Sequence, residues 1–251
     1  MRTCCIRMNH QKFHKDYGDL VICADDGNYW RKDVFPYYKA GRKEARAESE
    51  INWNDVFKSF NNIRDELKEF LPYKVIQIPR AEADDIIGVI THAEGNPLNS
   101  GEKVLVLSGD KDYLQLHTHG NVYQYDPVRK KYITTGDADA YLKEHILRGD
   151  KGDGIPNVLS QDDTFVLNIR QKQLRQTKIE KWDSGELVMD DETVRNWHRN
   201  KALIDLNQVP DSIKDQILEA HNTENTKDRS KLLTYFISKR LKHLMPHIPE
   251  F

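Results

Sequence analysis

The residues best suited to chemistry in this chain are carboxylates that follow short apolar runs. Seven acids share that position: Asp25 at the end of residues 19–25, Glu82 and Asp84 after 74–78, Asp110 and Asp112 in SGDKD after 103–107, and Asp150 and Asp153 in GDKGDGIP. So many carboxylates in one pocket repel one another unless cations neutralise them. No His or Cys spacing accompanies them, and hard oxygen ligands favour Mg²⁺ or Mn²⁺ over zinc. Two such ions about 4 Å apart stabilise the attacking and leaving oxygens of a displacement at phosphorus, so the pattern predicts a phosphoryl-transfer metal site.

Each acid alone has an ordinary alternative interpretation. The chain contains 40 Asp and Glu residues, and one of them at a strand end can be a solvated turn residue or a helix cap. Four separate clusters at the ends of predicted elements are much harder to explain by chance. The group as a whole therefore indicates a metal site, although no single member does.

The segments that must position these acids alternate between strand and helix patterns. The predicted strands are residues 19–25, 74–78, 103–107, 121–126 and 131–135, and the predicted helices are 53–71, 82–94 and 138–147, with 1–18 as the end of a further helix. This alternation predicts an α/β fold with a doubly wound, mainly parallel sheet over residues 1–147. Ligands bind beyond the carboxyl ends of such strands, so the acids should meet at one sheet edge. Residues 148–251 are predicted to form a smaller helical region.

Composition excludes several classes of protein. The 251 residues carry 38 Lys and Arg against 40 Asp and Glu, a net charge of −2, which excludes a uniformly basic nucleic-acid binder but not separate basic patches. No apolar run approaches the roughly 18 residues of a membrane helix, and the N-terminus lacks a secretory signal. Three cysteines form neither a disulfide framework nor a zinc spacing, so we expect a reducing, cytoplasmic location.

Two basic segments could hold a nucleic acid. The first, residues 29–49, interleaves aromatic rings with Arg31, Lys32, Lys39, Arg42, Lys43 and Arg46. Cations that follow phosphates and rings that stack on bases suit a single strand, although a solvated charged face with core aromatics is the alternative. The second contains Arg170, Lys172, Arg175, Lys178 and Lys181 and could contact a duplex backbone or simply be a surface helix.

Four motifs in order resemble one family. The sequence runs YWRKD…PYYKAGR, EADDIIG, SGDKDYLQL and GDKGDGIPNV, and this order resembles the 5′ nucleases, namely flap endonucleases and the 5′-exonuclease domains of bacterial polymerases. The likeness covers essentially the whole chain and is strongest to the T-even bacteriophage ribonuclease H type. It implies a PIN-like fold in which residues 1–147 are catalytic, 29–49 form a basic arch and 148–251 bind nucleic acid.

The resemblance also implies an activity and its partners. The expected enzyme uses two Mg²⁺ ions, for which Mn²⁺ can substitute, and removes RNA primers and short 5′ DNA ends or flaps during phage lagging-strand replication. Its substrates would be RNA–DNA hybrids and duplex DNA with a 5′ end or flap. A sliding clamp and a single-strand-binding protein are the expected partners, inside a bacterial host.

Site residues follow by matching motif positions. The resemblance assigns Asp25, Glu82, Asp84 and Asp110 to a first metal, and Asp112, Asp150 and Asp153 to a second. It assigns Lys39 and Arg42 to the arch as catalytic cations. We expect the nucleic acid to contact Arg31, Lys32, Tyr38, Lys43, Arg46, Arg170 and Lys172.

The sequence departs from the family pattern in two places. Family members begin with a strand that carries a further metal-binding Asp, whereas no such strand precedes Asp19 here, so we expect an N-terminally shortened enzyme. Residues 157–163 also lack the glycines of the hairpin with which relatives grip a duplex. The first departure leaves open a non-catalytic nucleic-acid-binding fragment as the alternative function.

The sequence fits two other enzyme classes less well. A phosphatase-like hydrolase with an Asp nucleophile needs its Asp-x-Asp pair on the first strand, whereas Asp110 and Asp112 follow the third predicted strand. A single-domain ribonuclease could carry a similar acid cluster, but it would not need about a hundred further helical residues.

Overall fold

A computed structural model describes the backbone of residues 2–96 and 101–251, with side chains from Ile6 onward. Its helices are α1 (Arg2–Tyr17), α2 (Arg31–Val34), α3 (Gly41–Ala47), α4 (Trp53–Phe70), α5 (Ala83–Glu94), α6 (Ala138–Arg148), α7 (Gln176–Asp183), α8 (Asp191–Ile204), α9 (Asp211–Asn222) and α10 (Leu232–Ser238). Its strands are β1 (Val21–Cys23), β2 (Lys74–Ile76), β3 (Val104–Leu107), β4 (Val122–Asp126) and β5 (Lys131–Ile133). Short 3-10 helices cover Lys111–Thr118, Leu206–Gln208 and Lys242–Glu250.

The strands confirm the α/β class but form two sheets instead of the one predicted. β1 and β2 pair in parallel, and β3 pairs in parallel with β4, which pairs antiparallel with β5. Within the described residues, no strand joins β1 to β3. The single-sheet prediction was therefore wrong in this detail, because alternation of elements predicts strand direction but not which strands share hydrogen bonds.

Helix α5 connects the two sheets. Ile86 packs in the core beneath β1 and β2, while the next residue, Ile87, packs against the core of β3 and β4. Gly88 of the same helix faces Leu206 so closely that a side-chain carbon there would meet Leu206 Cβ at 2.9 Å. The N-terminus of α5 lies beside both strand ends, since Ala83 donates its amide to Asp25 after β1 and Asp84 accepts from Tyr113 after β3.

Only the C-terminal part of the predicted apolar stripe of α4 packs against a core. Near its C-terminus, Leu67 and Phe70 pack against the core formed with α10 and Phe251. Towards its N-terminus, Phe57 and Phe60 are 41% and 43% exposed. Neither α3 nor α4 contains a buried residue, so α3 and the first half of α4 lie at the surface.

The helices after Gly149 pack directly on the α/β part. Ile213 and Ile217 of α9 share a core with Ile86, and Leu203 of α8 shares another with Phe35. The predicted domain boundary at residues 147–148 stays a prediction. Among the described helices, none is both long and apolar enough to span a membrane.

Candidate active site

Carboxylates from three distant parts of the chain line one pocket. Its acidic lining residues are Glu82, Asp84, Asp112, Asp150 and Asp153. They come from the start of α5, the 3-10 helix Lys111–Thr118 and the turn after α6. The other two predicted ligands, Asp25 and Asp110, adjoin this set through the hydrogen bonds described below. The structure therefore brings together all seven acids that the sequence analysis selected.

A tight turn after α6 positions Asp150 and Asp153. Gly149 ends the helix with φ 68°, and a side chain there would collide with the backbone of Ile155 and Pro156. Asp150 then exchanges backbone hydrogen bonds with Ile155, N to O at 2.9 Å and O to N at 2.7 Å. Its Oδ1 accepts the amide of Asp153 at 3.2 Å, so the turn fixes the two acids relative to each other.

The acids after β3 and at α5 are fixed by helix-capping contacts. Asp110 Oδ1 accepts the amide of Asp112 at 3.1 Å at the start of a 3-10 helix. The buried Gln124 of β4 donates to the carbonyl of Asp110 at 2.5 Å and braces this turn. Asp25 Oδ1 accepts the amide of Ala83 at 2.7 Å, which places Asp25 at the positive end of the α5 dipole.

His145, which the sequence analysis missed, stands between two of the predicted ligands. Its Nδ1 lies 3.8 Å from Asp112 Oδ1, and its Nε2 lies 3.6 Å from Asp150 Oδ2. Ligand atoms of these three residues all lie within 4.8 Å of one another. The available signal was the position of His145 in the last turn of the helix that delivers Asp150.

Two carboxyl groups of the pocket have raised pKa values, while a hydrogen bond from His145 lowers the pKa of Asp150. Burial and the adjacent carboxylate of Asp110 raise the pKa of Asp112 to about 7. Burial also raises the pKa of Asp84, whose carboxylate accepts a hydrogen bond from the Tyr113 hydroxyl. Burial alone would lower the pKa of His145, but Asp150 and Asp112 raise it. The raised pKa values of Asp112 and Asp84 are those expected where carboxylates are buried together and a cation would stabilise their charge.

Basic side chains neutralise the other edge of the acidic set. Lys39 Nζ lies 2.5 Å from Glu82 Oε1 and 3.4 Å from Asp153 Oδ2, and Arg42 lies 2.6 Å from Asp153 Oδ1. Burial would lower the pKa of Lys39, but Asp153 and Glu82 raise it above its ordinary value. Lys39 therefore stays protonated beside the pocket.

Two residues predicted to contact nucleic acid are buried instead. Arg31 is 2% exposed, and its guanidinium contacts Glu82 at 3.0 Å and Asp85 at 2.7 Å. Tyr38 is 3% exposed and donates to Glu82 at 2.8 Å. Neither the Tyr38 ring nor the Arg31 guanidinium can stack on a base from this position. Both residues are internal partners of the acids instead of the predicted contacts with nucleic acid.

The remaining predicted contact residues are exposed. Lys32 lies on α2, Lys43 and Arg46 lie on α3, and Arg170 and Lys172 lie on the segment before α7. The Arg46 guanidinium stacks over the Trp53 and Phe57 rings of α4 at 5.6 and 4.8 Å. Their role with nucleic acid stays a prediction.

Family models match two consecutive parts of the chain. A 5′-3′ exonuclease N-terminal resolvase-like domain matches residues 3–145, and the T4 RNase H C-terminal domain matches residues 136–251. The chain is 32% identical to the ribonuclease H of Enterobacteria phage T4 over 246 residues, which cover 94% of this chain and 80% of that protein. It is 28% identical to the flap endonuclease Xni of Shewanella woodyi over 158 residues, or 59% of this chain and 56% of that protein.

Solved structures of bacteriophage T5 proteins share the fold. A T5 5′-exonuclease with bound zinc ions matches with a TM-score of 0.60 and 19% identity, over 87% of this chain and 90% of that one. A T5 flap endonuclease in complex with DNA and metal ions matches with a TM-score of 0.58 and 20% identity, over 85% and 89%. These matches show that the chain shares the fold of the T5 proteins.

Proposed function

This chain belongs to the 5′-3′ exonuclease family, with a C-terminal region of the T4 RNase H type, and we propose that its acidic pocket hydrolyses phosphodiesters near the 5′ ends of nucleic acids. The observation that carries the proposal is the meeting of Asp84, Asp112 and Asp150 in one pocket although about 66 residues of sequence separate the first from the last. Lysine and arginine at the rim of that pocket suit a polyanionic substrate.

The acids fit hard divalent cations. The raised pKa of Asp112 reflects its burial and the carboxylates of Asp110, Asp150 and Asp84 around it. We assign Asp25, Glu82, Asp84 and Asp110 to one Mg²⁺ ion, and Asp112, Asp150 and Asp153 to a second, with Mn²⁺ as a substitute. Bound ions of this kind stabilise charge on the attacking and leaving oxygens at phosphorus.

The protein side chains then have separate tasks. Lys39 and Arg42 lie beside Glu82 and Asp153, where they can turn from these acids to the phosphate and stabilise charge that develops on it. Tyr113 holds the Asp84 carboxylate through its hydroxyl hydrogen bond. The turn containing Gly149 keeps Asp150 and Asp153 at a fixed separation.

Exposed cations extend the substrate surface in two directions. Lys32, Lys43 and Arg46 lie on the segment that also supplies Lys39, so they are placed to contact the single strand near the cut. Arg170 and Lys172 precede α7 in the helical region and are assigned to the backbone of the duplex. Each contact with a phosphate releases counterions, so binding should weaken with salt.

The biological role follows from the relatives. The similarity to a phage T4 ribonuclease H over 94% of the chain supports removal of RNA primers and short 5′ DNA ends or flaps during phage lagging-strand replication in a bacterial host. RNA–DNA hybrid and 5′-flap DNA are the proposed substrates. A sliding clamp and a single-strand-binding protein are the proposed protein partners.

One observation favours a non-catalytic alternative. Arg31, Lys39 and Arg42 already neutralise Glu82 and Asp153, as they would in a protein that binds nucleic acid without cutting it. The alternative predicts binding to the same substrates without turnover, so a cleavage assay separates the two.

The test uses the full chain on a 5′-labelled RNA–DNA hybrid and a 5′-flap duplex, with Mg²⁺ or with EDTA. We expect cleavage only with Mg²⁺, and a loss of at least about 100-fold in Asp112→Asn with substrate binding retained. Asp139→Asn changes an exposed acid of α6 and should cleave at the parental rate. Binding without Mg²⁺-dependent cleavage by the parental protein would establish the alternative.

A further inference from the structure

Two histidines and an aspartate lie close together at the end of α1. Ligand atoms of His10, His14 and Asp19 all lie within 4.8 Å of one another. The His10 and His14 rings are 4.6 Å apart between centroids, and His14 Nδ1 is 3.6 Å from Asp19 Oδ1. None of the three belongs to the acidic pocket, so the nuclease proposal does not account for this cluster.

The local sequence creates the cluster. His10 and His14 are four residues apart on one helix, so their side chains lie on the same face. Gly18 follows with φ 72°, a left-handed conformation that ends the helix, and its amide donates to the His14 carbonyl at 2.8 Å. The chain therefore turns back and brings Asp19 beside the two rings.

Both imidazole rings are held by groups outside the cluster. His14 Nδ1 lies 3.0 Å from the carbonyl oxygen of Gly18. The His10 ring makes a hydrogen bond to the backbone of Glu250 and packs against the Tyr73 ring at 5.4 Å. The His10 contact is of the kind in which a metal-binding histidine donates its second ring nitrogen to a carbonyl, which fixes the tautomer and the ring orientation. His14 Nδ1 faces both Gly18 and Asp19, so an ion bound by Nε2 would leave the Gly18 hydrogen bond intact and one bound by Nδ1 would replace it.

We propose that His10, His14 and Asp19 form a binding site for a borderline transition-metal ion, with Zn²⁺ as the expected occupant. Two imidazole nitrogens and one carboxylate oxygen make up a common three-residue zinc set, with water in the fourth position. Mg²⁺ prefers oxygen ligands and is a poor match. A tetrahedral ion with bonds of about 2.1 Å needs donor atoms about 3.4 Å apart, which small rotations of the exposed His14 and Asp19 side chains towards His10 can reach.

The site would link the N-terminal helix to the rest of the protein. Asp19 precedes β1, and the backbone of Glu250 lies in the last 3-10 helix, where Arg7 of α1 also contacts the Glu250 side chain at 2.5 Å. An ion bound here would join α1 to the turn before β1 and favour the folded state by mass action. Its role is structural and separate from cleavage.

The experiment measures Zn²⁺ binding to the full chain in excess Mg²⁺ and compares it with binding to His14→Gln, because the acidic pocket also holds His145 beside Asp112 and Asp150. The parental protein should bind one Zn²⁺ more than His14→Gln, with an increase in melting temperature. His14→Gln should weaken that binding by at least about 100-fold, since loss of an outer-shell partner alone costs 10–100-fold. Because His14 is exposed, this change spares the core, and circular dichroism checks the fold.

His243→Gln and Asp112→Asn are the matched controls. His243 is an exposed histidine of the last 3-10 helix, and its loss should leave Zn²⁺ binding unchanged. Asp112→Asn should keep the Zn²⁺ ion that His14→Gln loses. Co²⁺ should give the visible absorption spectrum of a nitrogen- and oxygen-ligated tetrahedral site in the parental protein but not in His14→Gln. Absent Zn²⁺ binding, equal binding by His14→Gln, or loss of binding in either control would overturn the proposal.

Discussion

Lys39 Nζ lies 2.5 Å from Oε1 of Glu82, so a cation assigned to the substrate contacts an acid assigned to a metal ion. Asp153 also contacts Lys39, at 3.4 Å. Both acids are largely enclosed, with side chains that are 4% and 19% exposed. Under the proposed assignment, Lys39 and a divalent cation would compete for the same carboxylates, and binding of the metal would release the lysine towards the phosphate.

Replacement of Lys39 should separate metal binding from cleavage. In Lys39→Met, Glu82 loses a positive neighbour, so Mn²⁺ should bind at least about tenfold more tightly. Cleavage with saturating metal should fall by about 100–1000-fold, because the transition state loses a charged donor. Mn²⁺ titration and single-turnover cleavage measure the two effects. The exposed Lys58 of α4 supplies the control Lys58→Met, which should alter neither; weaker Mn²⁺ binding in Lys39→Met would contradict the competition.

The turn that carries Asp150 should not tolerate a side chain at Gly149. Gly149→Ala places a methyl group against Ile155 and Pro156 at positive φ, so the free energy of unfolding should fall by about 2 kcal/mol or more. Metal-dependent cleavage should fall as well, because Asp150 moves. Gly136→Ala is the matched control, since a methyl group there meets no atom within 4 Å among the described residues. Urea denaturation measures both variants, and equal stability would show that the turn is adaptable.

Asp162 should make stability depend on acid pH. Burial would raise the pKa of Asp162, but hydrogen bonds from Arg195 and Arg199 lower it below the ordinary 3.8. A lowered folded-state pKa means that the ionised group stabilises the fold fully above 3.8 and that this stabilisation is lost as pH falls through the folded value. Asp162→Asn should therefore cost about 2 kcal/mol at pH 7 and progressively less in acid.

The control for that comparison is an exposed ion pair. Lys143 contacts Asp183 at 2.5 Å with side chains 53% and 44% exposed, and Asp183→Asn should cost at most about 0.5 kcal/mol at any pH. Thermal unfolding between pH 3 and 7 measures both variants. A difference between Asp162→Asn and the parental protein that does not shrink in acid would contradict the assignment.

Arg170 should contribute to duplex binding through charge alone. Arg170→Ala should weaken binding to duplex DNA for all sequences and reduce the slope of log affinity against log salt by about one. Fluorescence anisotropy titrations between about 50 and 300 mM salt measure the slope. An unchanged slope would remove Arg170 from the interface, while cleavage chemistry at the acidic pocket would be unaffected.

The sequence predicted the acid positions well because they depend on local patterns. Short apolar runs ending in Asp mark strand ends, and Glu82 and Asp84 begin a helix whose apolar period is clear. Family membership was also predicted correctly from the four ordered motifs. These features need only neighbouring residues to be recognised.

The missed features depend on partners far away in sequence. From the sequence, Arg31 resembles a surface cation and Tyr38 a surface ring. Both side chains are buried because they bond to Glu82, which lies more than 40 residues later. His145 gains its place because α6 packs against the 3-10 helix that carries Asp112. The exposed Phe57 of α4 shows the converse: a regular apolar stripe extends beyond the core that covers only its second half. Periodicity reports which residues share a face, not what covers it.

Anomalous diffraction from crystals grown with Mn²⁺ tests most directly whether the acids form a metal site. The account predicts anomalous peaks in the pocket, with carboxylate oxygens of Asp112 and Asp150 within about 2.3 Å of one ion and Asp84 beside another. Peaks confined to other surfaces, or an empty pocket at millimolar Mn²⁺ with the Lys39–Glu82 contact intact, would contradict it.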